Sequence, residues 1–261
     1  MATVLKRSRL AVWKDVIFAI FIREIRSKFS DKLGISWAVI EPVVFIFLLS
    51  SIRGLVSGGH THTVPTFVFM FYGMTLVQLF LTTVSASSGA ILRNRSLFAF
   101  RQVQPISAVI AASLFELLVK AAVFLGIYGL MYLIGIEVRL DNPLLLITVV
   151  CTVWLFATAF GMIFGLLRCF VIEVSKVENL IMKPVFFISG VFFSLQDINS
   201  IYWPYLNWNP VLNGIELARD AAYTTFGAKG VSLDYLLFVT LTAVCLSLCC
   251  YRVLWKRAIS R

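Results

Sequence analysis

The chain has 261 residues, of which 60% are hydrophobic and only 14% charged, with a mean hydropathy of +0.92. Soluble domains average about 45–50% apolar and about 25% charged residues, so a soluble fold is excluded and an integral membrane protein is read instead. The net charge of +10 would suggest a nucleic-acid partner in a soluble protein, but here the cations gather between apolar runs, which marks the cytoplasmic face of a membrane protein and leaves no nucleic-acid role.

Residues 6–30 place Leu10, Trp13, Ile17, Phe21, Ile25 and Phe29 at helical spacing, with Lys14, Arg23, Arg26 and Lys28 beside the stripe. This pattern predicts an amphipathic helix lying in the membrane interface, a helix packed on a partner subunit, or both. Leu33 and Gly34 break the pattern with a turn. The first span runs from about 35 to 52 and contains Glu41-Pro42. Glu41 lies near the cytoplasmic end, where a carboxylate is least costly, and Pro42 frees a carbonyl, predicting a kink or local unwinding. Residues 53–65 form a polar exit loop. Its His60 and His62 lack the third and fourth ligands that a zinc site needs, so no metal is expected.

The second span, 66–92, carries no charge and ends in small polar residues, Thr82 to Gly89, suited to close helix packing or a wet cavity. The break at 93–105 holds Arg93, Arg95 and Arg101 and no acid. Short cation-rich loops stay cytoplasmic. Leu97, Phe98 and Phe100 lie between the arginines, an amphipathic segment able to press into a groove on another protein.

The third span, 106–136, holds Glu116 and Lys120, one helical turn apart. They are read as an ion pair facing the bundle, with a proton relay as the other reading. The fourth span, 143–167, carries Ala157, Gly161 and Gly165, a small-residue ladder for tight contact within the chain or across a dimer. Residues 168–183 return to the cytoplasm. The fifth apolar run, 184–195, spans only with 180–182 included and Lys183 snorkelling.

Asn209-Pro210 is a helix start. The helix behind it shows Val211, Ile215, Ala218, Ala222 and Phe226 on one face and Glu216, Arg219 and Asp220 on another. Residues 196–230 are therefore read as a re-entrant or interfacial helical hairpin on the non-cytoplasmic side. Its aromatics Tyr202, Trp203, Tyr205 and Trp208, with Asn209 and Pro210, form an anchoring belt or line and close the exit of a conduit. The last span, 231–254, leads to Lys256-Arg257 and an inside C-terminus.

The reading is thus an all-α membrane protein. Six transmembrane helices follow an interfacial helix within 1–33, with a cytoplasmic loop at 91–105 and an outer hairpin at 196–230. Cys151, Cys169, Cys245, Cys249 and Cys250 fall in or beside apolar runs and are packing residues. There is no secretory-signal pattern. No GxxxxGK[ST], HExxH or GxSxG motif occurs. An enzyme is not expected; a transporter or a structural membrane subunit is. An ion-coupled secondary carrier using Glu116 and Lys120 is the alternative, although no internal repeat is seen.

REIRSKF at 23–29, LGISWAVIEP at 33–42, RNRSLFAFRQVQP at 93–105 and NWNPVLNGIELAR at 207–219 resemble, in this order, the permease family of capsular polysaccharide export, the KpsM-type subunits of ABC type-2 exporters. The resemblance covers roughly 14–256. It implies a homodimer of permeases with two copies of a cytoplasmic ATPase subunit. ATP and magnesium belong to that ATPase, and no cofactor belongs to this chain. It implies export of a lipid-anchored acidic polysaccharide across the inner membrane of a Gram-negative bacterium. Periplasmic co-polymerase-type and outer-membrane export proteins would continue the route; the same architecture with O-antigen, teichoic acid or drug as cargo is the alternative. By resemblance, Arg23, Arg26, Leu33, Gly34 and Glu41 lie near the substrate entrance. Arg93, Arg95, Leu97, Phe98 and Arg101 match the ATPase-coupling helix, and the hairpin before the last span matches the periplasmic gate. Ser107 departs from the family pattern, which often has Asp there; Ser still suits a cap of the third span.

Overall fold

Within hydrocarbon only a helix satisfies every backbone amide and carbonyl inside its own segment, so apolar runs of this length fold as helices. The computed structural model describes residues 8–28, 34–57, 60–100, 102–136 and 138–260. The helices are α1 (Arg9–Lys28), α2 (Gly34–Ser57), α3 (Thr66–Arg93), α4 (Pro105–Ile134), α5 (Pro143–Arg168), α6 (Val174–Ile188), α7 (Trp203–Leu206), α8 (Pro210–Ala222) and α9 (Leu233–Ser260). Two short strands, β1 (His60–Thr61) and β2 (Val64–Pro65), pair antiparallel in the exit loop before α3. Among the described residues, α3, α4, α5 and α9 are long and apolar enough to cross a membrane.

The charge-free run at 66–92 becomes α3, the buried axis of the molecule. It packs against α2, α4, α5 and α8, and Phe69, Met70, Phe71, Met74, Val77 and Val84 lose all contact with the exterior. The small-residue ladder of α5 lies against it within the chain. A Cβ on Gly161 would stand 2.6 Å from Ser87 Cβ and 2.7 Å from the Val84 carbonyl oxygen. One on Gly165 would stand 3.0 Å from the Ser88 carbonyl oxygen. Two backbones approach this closely only where side chains are absent or small. Helix α9 runs along α5 and leaves most of its own surface open.

Three starts follow one rule: Pro occupies the first turn of α4, α5 and α8, where its missing amide hydrogen is not needed. Asn142 caps α5 by accepting from Leu145 N at 3.2 Å. Ser107 does not cap α4. It lies in the helix after Pro105, buried, and its hydroxyl has no hydrogen-bond partner among the described residues. Helix α2 continues through Pro42 without unwinding.

Two elements differ from the sequence reading. Helix α6 begins well before the apolar run and ends at Ile188. Its 15 residues measure about 22 Å, less than the ~30 Å hydrocarbon core. Gly190, at φ +74°, then turns the chain inward, and Val191 and Leu195 are buried. Helix α8 reads in sequence as amphipathic, with Glu216, Arg219 and Asp220 on a face of their own. Instead nearly all of it is buried, Glu216 and Arg219 included.

Candidate functional site

Helix α3 stops at Arg93, and a single 3-10 turn, Arg95–Ala99, follows before α4. Asn94 is the pivot. Its side-chain amide donates to the Ala90 carbonyl at 2.8 Å, and its Oδ1 accepts from the Arg23 guanidinium of α1. Arg93 donates to the Ala86 carbonyl at 3.1 Å and lies 4.0 Å from the Glu24 carboxylate. The front helix and the turn are thereby braced together. The rest of α1 rests on α4 through Ile20 and through Phe21, whose ring meets Phe115 edge-on at 6.4 Å.

The turn does not present its apolar residues as one set. Phe98 points inward and is buried beside Ile20, Ala90 and Ala108, and Leu97 is half-buried. Phe100, 65% exposed, is the outward aromatic, and Arg95 and Ser96 are exposed with it. Arg101 and Leu33 lie outside the described residues. Of the entrance set, Arg23 and Arg26 stand on α1, Gly34 opens α2, and Glu41 is exposed on α2. Beside the turn, the otherwise buried Glu178 of α6 pairs with Arg168 of α5 at 2.8 Å and accepts from Ser88 of α3 at 2.9 Å. A cluster of carboxylate, guanidinium and hydroxyl thus pins three helix ends together.

Midway along α4, Glu116 and Lys120 are both buried, and Lys120 donates to Gln78 of α3 at 3.2 Å. Lys120 also borders a cavity of about 270 Å³ whose other walls are mainly apolar, Tyr72, Leu79, Phe124 and Leu146 among them. No group of three or more His, Cys, Asp or Glu gathers among the described residues.

At the opposite end of the bundle the four aromatics divide. Trp203 is half-buried; its indole donates to the Leu195 and Ile198 carbonyls at 2.9 and 3.0 Å. Its ring leaves no room for a side chain at Gly230, where a Cβ would stand 2.7 Å away at φ +75°. Trp203 thus holds residues 195–198 and 230 together. Tyr202, Tyr205 and Trp208 face outward, at 58, 73 and 67% exposure. Asn209 caps α8 by accepting from Val211 N and Leu212 N, with Pro210 in the first turn. Tyr235 of α9 donates to the Trp208 carbonyl at 2.8 Å.

Under the aromatics lies the arrangement the sequence reading missed. Arg219 Nη1 donates to Glu216 at 2.9 Å and to the Phe193 carbonyl at 3.4 Å; Nη2 donates to the Val191 carbonyl at 3.1 Å and Nε to the Phe69 carbonyl at 3.3 Å. The guanidinium carbon stands 3.4 Å from the centre of the Phe69 ring. Gly73 makes the space, since a Cβ there would lie 2.7 Å from Arg219 Nη2. The available signals were an acid and a base three apart in a helix too short to span, and a glycine at 73 within the charge-free run 66–92.

The segment after α8 is also fastened to the α4–α5 loop. Asp141 accepts from Thr224 N at 2.9 Å and from its hydroxyl at 2.8 Å. The Thr224 backbone amide, then its hydroxyl and the nearby Arg139 charge, hold the Asp141 carboxyl below the ordinary carboxylate range. A depressed acid contributes its tether fully above its unfolded value and loses it as pH falls through the folded value. The amide hydrogens at 223–226 are therefore expected to keep constant exchange protection from neutral pH down to about pH 4, the ordinary Asp value, and to lose protection below it. Asp141→Asn is expected to show reduced protection between neutral pH and about pH 4, the ordinary Asp value, and equal protection in the variant over that range would refute the tether.

The chain matches the ABC-2 type transporter family over residues 15–223. It is 34% identical to the polysialic acid transport protein KpsM of Escherichia coli over 247 residues, 94% of this chain and 96% of that protein. It is 24% identical to the capsule polysaccharide export inner-membrane protein BexB of Haemophilus influenzae, over 94% of this chain and 92% of the relative. CtrC of Neisseria meningitidis serogroup A, a capsule polysaccharide export inner-membrane protein, is 24% identical over 80% of each chain. A shared likeness that runs nearly end to end, on a bundle of apolar helices, places this chain in the ABC-2 type transporter family, among the KpsM-type permeases.

Proposed function

We propose that this protein is the transmembrane permease of a capsular polysaccharide exporter in a Gram-negative inner membrane, driven by a separate ATPase subunit. The observation that carries the reading is the end-to-end likeness to KpsM, and the apolar helices are consistent with it. The working unit is a homodimer with two ATPase subunits. Periplasmic co-polymerase-type and outer-membrane proteins take over a glycolipid-anchored chain. ATP and magnesium act in the ATPase.

Six spans complete the topology. Helix α2, with 24 residues, is about 36 Å long and reaches across a ~30 Å core. Helix α6 supplies the fifth crossing together with the inward turn at 189–195. Both termini are cytoplasmic, as the distribution of Lys and Arg directs. Arg23, Arg26, Leu33, Gly34 and Glu41 flank the substrate entrance. The 3-10 turn with Arg93, Arg95, Leu97, Phe98 and Arg101 couples to the ATPase, with Phe100 as its apolar contact and Phe98 as the inward anchor that shapes it. Tyr202, Trp203, Tyr205, Trp208, Asn209 and Pro210 belong to the exit gate. Their ring faces suit a hydrated polymer that must slide without lodging.

Co-purification tests the reading: the permease is expected to bring down an ATP-hydrolysing partner. Phe100→Ala with Arg95→Ala is expected to leave insertion unchanged and to remove both the partner and surface polysaccharide. Export and association at the parental level in that variant would overturn the coupling assignment.

A further inference from the structure

Several fastenings hold the outer hairpin inside its own protomer. Arg219 ties α8 to α3 and to the 191–193 turn. Asp141 ties Thr224 to the α4–α5 loop, where Asn142 N also donates to the Ala221 carbonyl at 2.8 Å. Tyr235 ties the Trp208 turn to α9. The fourth is a continuous string of polar contacts. Glu216 accepts from the Ser194 hydroxyl at 2.8 Å, Asp197 accepts from Ser194 N at 2.8 Å, and His62 of the exit loop meets Asp197 at 2.9 Å. The string runs from an exposed histidine to a guanidinium with no exposure at all.

We infer that Arg219 is a positioning residue that fixes the exit hairpin to α3, so that hairpin, α3 and α5 move through the transport cycle as one body instead of the hairpin swinging off them. The inference rests on the reading that the hairpin stands at the exit. Its physical ground is that a swing would break the bonds from the guanidinium to the Phe69 carbonyl of α3 and the Val191 and Phe193 carbonyls of the turn, and a buried acceptor stripped of its donor costs its full desolvation. Only the planar fork of arginine serves a carboxylate and three carbonyls at once; a lysine ammonium has neither the reach nor the number of donors. The outlet then opens by displacement of whole protomers against each other.

The test uses the complete transporter in cells, with the five native cysteines replaced, and reads surface polysaccharide, ion leak and inserted protein. Asp141→Cys with Thr224→Cys puts thiols on two exposed, touching side chains, where a disulfide or a short bis-thiol crosslinker locks α8 to the α4–α5 loop. Export is expected to continue after locking at the level of the unlocked protein. Loss of export on locking, restored by reductant in the disulfide form, would overturn the inference.

In the same background, Arg219→Lys is expected to leave inserted protein unchanged, to reduce export and to leak ions, and locking is expected to restore the seal. A leak that persists after locking would reduce Arg219 to a fold-stabilising residue and refute positioning. Should Arg219→Lys fail to accumulate, Gly73→Ala, whose methyl presses on Arg219 Nη2, serves in its place with the same two outcomes. Tyr202→Ala with Tyr205→Ala is the control for the underlying reading. Unchanged export and sealing there would remove the hairpin from the exit, whereas a block on locking combined with an effect there would overturn only the rigid attachment.

Discussion

Arg219→Met alone is expected to abolish recoverable folded protein, while Glu216→Gln together with Arg219→Met is expected to recover most of it. Both side chains are fully buried and 2.9 Å apart. Removing one partner of such a pair leaves an uncompensated charge and costs about 3–5 kcal/mol, whereas replacing both is often nearly neutral. Native stabilities are only about 5–15 kcal/mol, so the single change consumes much of the margin. The double variant keeps the Ser194 bond to residue 216 and loses the bonds from Arg219 to the carbonyls, so a modest deficit remains. Thermal stability of the detergent-extracted protein measures the comparison. Equal losses in the single and double variants would mean that the pair is not coupled.

The second large effect is expected at the α3–α5 crossing. Gly161→Ala places a methyl 2.6 Å from Ser87 Cβ and 2.7 Å from a backbone oxygen of α3, and a backbone cannot step aside as a flexible side chain can. Overpacking typically costs about 1–3 kcal/mol, occasionally more. Gly161→Leu is expected to exceed that range by splaying the helices and with them the Ser88–Glu178–Arg168 cluster beyond. Gly165→Ala, whose nearest atom is 3.0 Å away, is expected to be milder, and Gly129→Ala, with nothing within 4 Å, to be silent. The order of melting temperatures decides: a Gly161→Ala protein as stable as Gly129→Ala would refute the close approach.

Much of the fold was legible in the sequence because the bilayer imposes a length and a composition on each crossing helix. The boundaries of α3, α4 and α5 fall within one or two residues of the apolar runs, since Pro and Arg or Gly punctuate both ends. The cap at Asn209 was legible for the same local reason. What escaped notice depends on contact across the chain. Helical periodicity assigned Glu216 and Arg219 to a charged face apart from the apolar one, but a guanidinium facing three carbonyls and a carboxylate is well satisfied inside the protein. Phe98 and Phe100 are two residues apart in a segment whose 3-10 geometry sends them to different sides, which composition cannot reveal. Arg23 was read through its entrance position, yet its partner, Asn94, lies 71 positions away. The small-residue ladder announced a close contact without naming the surface, and only the fold chose Val84 to Ser88.

The buried pair in α8 also constrains how the protein is made. A segment of 13 residues carrying Glu, Arg and Asp has no tendency to partition into lipid from the translocation channel. By itself it is a polar stretch, and only the surrounding helices make a place for its charges. Its acid and base meet only once the helix has formed, because they stand on adjacent turns, and Arg219 reaches its carbonyl partners only when α3 is there to receive it. Docking of α8 therefore requires α3 to be in place, and α8 belongs to the core by contact with its neighbours and not by its own affinity for lipid.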